Sequence, residues 1–182
     1  AAAQIKFHNL CISSLDAQHV YLKGITLTKQ VGGQVADRFC RDIDILVADK
    51  DMKRVIQRAL STGYRMIIEA DPIEAVESKA DQKFITRYAD VVTLLSPDDV
   101  MIEVHRKLTK LSLSFDNKKL FSSSEGISIS GTEMQTLSFP MHFVYVCYHH
   151  SRHFWSRLHW LADIDGFLTH EKLVLQEVSE IA

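Results

Sequence analysis

The heptapeptide Arg41-Asp42-Ile43-Asp44-Ile45-Leu46-Val47 sets two carboxylates, one residue apart, inside an apolar, β-branched run. Such a run reads as a strand, and strand side chains alternate between faces. Asp42 and Asp44 therefore project to one side, and Ile43, Ile45 and Val47 to the other. Like charges at neighbouring same-face positions repel, and a strand wedged in a core normally avoids them. Two solutions are open: the acids lie solvated at a strand end, or a divalent cation removes the conflict. Hard oxygen donors in this arrangement suit Mg²⁺ or Mn²⁺, which commonly serve phosphate chemistry.

Two further segments bear on the choice. Upstream, His19-Val20-Tyr21-Leu22-Lys23-Gly24 is a short apolar strand ending in Lys-Gly, and Ile25-Thr26-Leu27-Thr28-Lys29 can begin a helix. A glycine at a strand-to-helix turn lets backbone approach a ligand closely, and a helix N-terminus offers N–H groups to phosphate. Lys23 is then either a point charge for phosphate oxygens or a surface lysine before a turn. Downstream, Met101-Ile102-Glu103-Val104-His105 alternates so that Glu103 and His105 share the face opposite Ile102 and Val104.

The order strand-Lys-Gly-helix, Asp-x-Asp strand, then a lone carboxylate on a later strand resembles the nucleotidyltransferase superfamily that includes DNA polymerase beta. The blocks Leu22-Lys23-Gly24, Arg38-x-x-Arg41-Asp42-Ile43-Asp44, Gly63-Tyr64 and Ile102-Glu103-Val104-His105 are similar to one bacterial branch, the uncharacterised nucleotidyltransferases. His149-His150-x-x-His153 and Arg157-Leu158-x-Trp160-Leu161-x-Asp163-Ile164 fit its helical part. The superfamily usually carries Gly-Ser at the first turn; Lys23-Gly24 is usual for this branch.

The resemblance implies an α/β (α+β) fold: a small mixed β-sheet flanked by helices, with a C-terminal helical unit. It implies transfer of a nucleoside monophosphate from an NTP to a hydroxyl-bearing acceptor, with Mg²⁺ (or Mn²⁺) and release of pyrophosphate. Asp42, Asp44 and Glu103 are the expected catalytic and metal-binding residues, Glu103 also helping to deprotonate the acceptor. Lys23, Gly24, Arg38 and Arg41 are expected at the nucleotide. The acceptor is a small molecule, a protein side chain or an RNA end. Two rivals stand beside this reading: a catalytically inactive nucleotide-binding or regulatory protein on the same fold, and a metal phosphohydrolase built on the histidines.

His149 and His153 are four residues apart and share a helical face, as two zinc ligands might be arranged. No Glu follows in the His-Glu-x-x-His manner, so a cleft-lining role is preferred for His149 and His153, with Arg157 and Asp163 making polar contacts to nucleotide or acceptor. His105 either meets metal-bound water and acceptor or hydrogen-bonds within the site wall. Trp155 and Trp160 are expected in core and wall, and Leu158, Leu161, Ile164 and Leu168 read as an apolar helix stripe.

Size and composition fit a soluble globular chain: 182 residues, 46% hydrophobic, 24% charged. A net charge of -2 provides no broad basic field for long nucleic acids. Cys11, Cys40 and Cys147 are too few and scattered for a disulfide framework or zinc ribbon. They read as buried or half-buried thiols of a cytoplasmic protein. No apolar run approaches the roughly 20 residues needed to span a bilayer, and the alanine start suggests a fragment of a longer chain.

The expected elements are a helix over 4–15, a strand over 19–23, a helix over 24–31, a strand over 41–47 and a helix from Asp49 to Ser61 that Gly63 stops. A strand follows over 64–69, and a short helix or loop over 72–79. Strand-like runs span 84–95 and 100–106, joined by the turn Ser96-Pro97-Asp98-Asp99. Residues 111–126 read as loop with a short helix, and 127–130 with 134–137 as a small hairpin. Pro140 opens a helical tail, with a boundary near residue 138 between an α/β catalytic domain (1–138) and a helical unit (139–182).

Overall fold

A computed structural model of the chain describes residues 1–34, 42–108 and 115–181. The expected positions Arg38 and Arg41 lie outside the described residues. Eight strands form one mixed sheet: β1 His19–Tyr21, β2 Asp42–Val47, β3 Arg65–Ile68, β4 Glu74–Ala75, β5 Val91–Leu95, β6 Met101–His105, β7 Glu125–Ile129 and β8 Thr132–Thr136. Their order is β4-β3-β5-β6-β2-β1-β8-β7. The β2–β6 and β1–β8 pairs are parallel and the others antiparallel. The architecture is the mixed α+β type expected.

The acid-bearing strand β2 lies in the middle of the sheet, between β6 and β1, with every residue after Asp42 buried. Its alternation divides the molecule's two cores. Ile43, Ile45 and Val47 join Met52, Val55, Ile56 and Ala59 of helix α3 (Asp49–Ser61) and Phe7 of the N-terminal helix α1 (Ala2–Phe7). On the other face Leu46 packs with Val20, Leu22, Phe139, Met141, Tyr145, Val146 and Phe167. The last five belong to helices α6 (Phe139–Arg152) and α7 (His159–Leu168). Burial of a large apolar side chain contributes roughly 1.5–3 kcal/mol, so these two cores hold β2 from both sides. Asp42 and Asp44 share the α6 face by the same alternation.

The short helix α2 (Ile25–Gln30) follows β1, and Gly24 before it has φ 77, a left-handed conformation that a side chain would strain. The helix over 4–15 is present but changes pitch, from α1 to a π turn (His8–Ile12) and a 3-10 turn (Ser13–Leu15). The hairpin over 127–137 forms as β7–β8, but it extends the main sheet because β8 pairs with β1 through Tyr21 and Thr136.

Three expectations needed correction. Residues 84–88 are helical: helix α4 (Lys79–Tyr88) continues through them, and the strand begins only at Val91. Ser78 caps that helix, its Oγ accepting from the Asp81 N–H at 3.3 Å, and this local bond outweighs the strand preference of Phe84, Ile85 and Tyr88. Residues 74–75 within the span read as helix or loop form the edge strand β4 on β3. The stripe Leu158, Leu161, Ile164, Leu168 is not the core face of α7: Leu158 is 86% exposed, Leu161 54% and Leu168 58%. The buried stripe is Trp160, Asp163 and Phe167, offset by one position.

Helices α5 (Asn117–Ser122) and α8 (Leu175–Ile181) complete the described chain. Among the described residues no helix is long and apolar enough to cross a membrane.

Candidate active site

Parallel pairing of β2 with β6 sets Asp44 opposite Glu103 and Leu46 opposite His105. Paired strands lie about 4.8 Å apart, so two acids separated by 59 positions in the chain become neighbours. One ligand atom each from Asp44, Glu103 and His105 falls within 4.8 Å of the others. His105 Nε2 lies 3.3 Å from Asp44 Oδ1 and 3.2 Å from Glu103 Oε2, one N–H between two carboxylates. Asp42, two residues before Asp44 on the same strand, is half-buried and stands outside this triad, although its carboxyl feels the charges of Asp44, Lys23 and Glu103.

Lys23 leaves the end of β1 and points into the same space. Its Nζ lies 3.0 Å from Asp44 Oδ2 and donates to His149 Nε2 at 3.1 Å. Among the described residues, buried Asp44 Oδ2 has no aligned hydrogen-bond donor and is faced by the charge of Lys23. The backbone N–H of Ile25, at the turn expected to greet phosphate, donates to Gln4 Oε1 at 3.4 Å. Lys23 is held by its neighbours: His142 of α6 reaches the Leu22 carbonyl at 2.6 Å and also bonds Gln30, which fixes α6 against the β1–α2 turn.

The electrostatics follow from this packing. Burial pushes the Asp44 carboxyl up, but Lys23 and His105 outweigh it and hold Asp44 well below the usual carboxylate range. Burial and the adjacent Asp44 push Asp42 up, against the pull of Lys23. Burial would lower His105, yet its contacts with Asp44 and Glu103 prevail and raise it to about 9. Burial, then the charge of Lys23, lower His149 to about 3, which keeps its ring neutral and able to accept from the ammonium. Lys23 is raised above its ordinary value because Asp44 and Asp42 outweigh burial.

The remaining expected residues divide. His149 reaches the acids through Lys23, and His153 packs its ring 4.8 Å from that of His149. Arg157 lies over the Trp160 ring at 5.6 Å. Asp163 is buried, its Oδ2 3.9 Å from His150 Nε2, and His150 stacks on Trp160 at 4.7 Å. Trp160 is buried while Trp155 is 41% exposed. Among the described residues Asp44, Glu103 and His105 are the one group able to hold a metal, and the α6 histidines form none.

Sequence reasoning missed Tyr145. It is buried, its hydroxyl pushed well above its ordinary range by burial and by Asp44, Glu103 and Asp42. Its ring lies 6.0 Å from His149. The signal was present in the i, i+3, i+7 spacing of His142, Tyr145 and His149, which puts all three on one side of α6.

Solved structures with the same architecture are distant in sequence. The solution structure of antibiotic-resistance factor ANT(2'')-Ia gives a TM-score of 0.64 at 10% identity, covering 99% of this chain and 89% of that one. The crystal structure of ANT(2'')-Ia in complex with adenylyl-2''-tobramycin gives 0.64 at 11%, covering 98% and 94%. Lincosamide antibiotic adenylyltransferase LnuA, lincomycin-bound, gives 0.54 at 13%, covering 91% and 96%. At these identities the likeness is one of fold. No curated protein sequence matches this chain. A family model described as uncharacterised nucleotidyltransferase matches residues 9–182. The strand-borne acids, the mixed sheet and this match lead to one conclusion: the chain belongs to the uncharacterised nucleotidyltransferase family, a family of enzymes.

Proposed function

We infer that the protein transfers a nucleoside monophosphate from an NTP to a hydroxyl-bearing acceptor, releasing pyrophosphate, with Mg²⁺ or Mn²⁺ as cofactor. The observation that carries this is the convergence of Asp44, Glu103 and His105 on paired central strands, with a buried lysine at the same carboxylate. The hard oxygen donors of buried Asp44 and half-buried Glu103, with Asp44 Oδ2 lacking an aligned donor among the described residues, fit a divalent ion. Asp44 and Glu103 would hold it, with Asp42 beside them. When bound, the ion neutralises triphosphate charge and favours ionisation of the acceptor hydroxyl.

The chain's own groups divide the remaining work. In the transfer, the acceptor oxygen bonds the α-phosphorus and the α–β bridging bond breaks, its electrons leaving with pyrophosphate. Glu103, the less buried of the two paired acids, takes the acceptor's proton. Lys23 trades its Asp44 contact for the β- and γ-phosphate oxygens, and neutral His149 steadies the ammonium by accepting its hydrogen bond. Arg38 and Arg41 would add positive charge near the triphosphate. Tyr145, His153 and Arg157 form the helical wall. The adenylylated and antibiotic-bound neighbours favour a small-molecule acceptor over a protein side chain or RNA end, as does the acidic net charge.

One observation favours a second reading, a nucleotide-binding protein without turnover. Lys23 and His105 already balance Asp44 from two sides, as an ion would. Calorimetry with ATP, GTP, CTP and UTP, with and without Mg²⁺, separates the two. Binding that requires Mg²⁺ and vanishes in Asp44→Ala, together with label transfer from radiolabelled NTP into cell lysate, supports the enzyme. Mg²⁺-independent binding without transfer supports the second reading. Transfer that survives replacement of both Asp42 and Asp44 would sink the mechanism.

A further inference from the structure

Helices α3 and α4 cover the sheet face opposite the acids, and between them runs a groove with a volume of about 810 Å³. That volume lies within the range of small-molecule sites, roughly 300–1,000 Å³. Its floor is apolar: Met52, Ile56 and Leu60 of α3 line it, Leu60 being the most open of the three. Its rim is cationic. Lys79, Lys83 and Arg87 line the α4 side at i, i+4 and i+8, and Lys53 faces them from α3.

This charge is not a consequence of composition, because acids outnumber Lys and Arg by 23 to 21. Like charges four residues apart weaken a helix. Among the described residues no carboxylate pairs with Lys53, Lys79, Lys83 or Arg87. The groove's one carboxylate, Asp49, is taken by Arg106. Arg106 also donates to the carbonyls of Ala89 and Thr86, which ties the end of α4 to the end of β6. Successive positions of the Lys79–Lys83–Arg87 stripe are about 6 Å apart, and the stripe is about 12 Å long. That is the length of a small molecule, shorter than a docked helix or a nucleic-acid strand needs.

We propose that the α3–α4 groove binds a small organic anion with an apolar body and two or more acidic groups. The body rests on Met52, Ile56 and Leu60. The acidic groups, phosphate or carboxylate, lie along Lys79, Lys83 and Arg87. His105 ends β6 and Arg106 directly follows it, yet the two serve opposite faces, so the groove is separate from the acid site and independent of the reaction assigned there.

The test uses the full chain and the fluorescent disulfonate bis-ANS, an aromatic body with two acidic groups, beside the uncharged N-phenyl-1-naphthylamine. Wild type binds one bis-ANS, and Lys79→Glu/Lys83→Glu weakens it by about tenfold or more. The milder Lys79→Gln/Lys83→Gln gives an intermediate loss, and circular dichroism melting confirms that both variants fold. Binding of the neutral amine is the same in all three. Dodecane-1,12-diphosphonate or dodecanedioate displaces the probe, and the stronger competitor identifies the acidic group. Equal bis-ANS binding in wild type and the Glu variant overturns the proposal. So does displacement by NTP with Mg²⁺, which would put the probe among the acids, or displacement by neither amphiphile.

Discussion

Asp44, Glu103 and His105 sit on two hydrogen-bonded strands, whereas His149, His150 and His153 sit on and just beyond one helix. Both groups hold three titratable side chains, and Lys23 touches both. Only the strand group brings its ligand atoms within 4.8 Å of one another. On the helix, i, i+4 spacing delivers ring-to-ring contact: His149 meets His153, and His150 stacks on Trp160. Their nitrogens go to separate partners, Lys23 for His149 and Asp163 for His150. Strand register makes side chains converge; helical spacing makes them pack.

The comparison breaks most sharply at Asp44. Asp44→Ala should reduce nucleotide transfer by about a thousandfold, while the His149→Ala/His153→Ala double variant stays within about tenfold; label transfer from NTP measures both. The helical side should instead respond to packing. Phe167→Ala empties the second core and should cost about 3–5 kcal/mol in urea unfolding. Leu161→Ala, on the exposed stripe, should stay within about 0.5 kcal/mol.

Mg²⁺ at about a hundred times its Kd should stabilise the fold by about 2.7 kcal/mol. A thermal shift that persists in the double histidine variant and disappears in Glu103→Gln assigns the ion to the strands. The reverse pattern assigns it to the helix.

The two groups should also differ in sign with pH. His105 is raised from about 6.5 to about 9, so its contribution is complete below pH 6.5 and is lost as pH rises through 9. His149 is lowered to about 3, so between pH 6.5 and 3 the unfolded chain binds a proton the folded one refuses, and stability falls as pH falls. The shifts cap the alkaline limb at about 3 kcal/mol and the acid limb at about 5 kcal/mol. His105→Gln should flatten the alkaline limb and His149→Gln the acid limb in unfolding curves taken across pH.

Where local rules act alone, the reading and the structure agree. Alternation put Ile43, Ile45 and Val47 in one core, Pro140 stands in the first turn of α6, and Ser96–Asp99 joins β5 to β6. The failures have local causes. Phe84 and Tyr88 look like strand residues, but the Ser78 cap and the following helical turns hold them in α4. Leu161 and Leu168 form a plausible apolar stripe, yet burial selects the neighbouring Trp160 and Phe167. Tyr145 shares one side of α6 with His142 and His149, a spacing legible in the sequence, but only the packing of α6 on the sheet sets that side against Asp44 and Glu103.

The order of amino acids determined by itself that Asp42 and Asp44 share a face, that Glu103 and His105 share another, and that a lysine ends the first strand. Those are consequences of a two-residue period. Which acid meets which was decided only in three dimensions: β2 and β6 took a parallel register that joins Asp44 to His105 across 61 positions, and α6 brought His149 to Lys23 across 126. Such pairings depend on how two separate cores pack around β2, a long-range balance that no local pattern encodes.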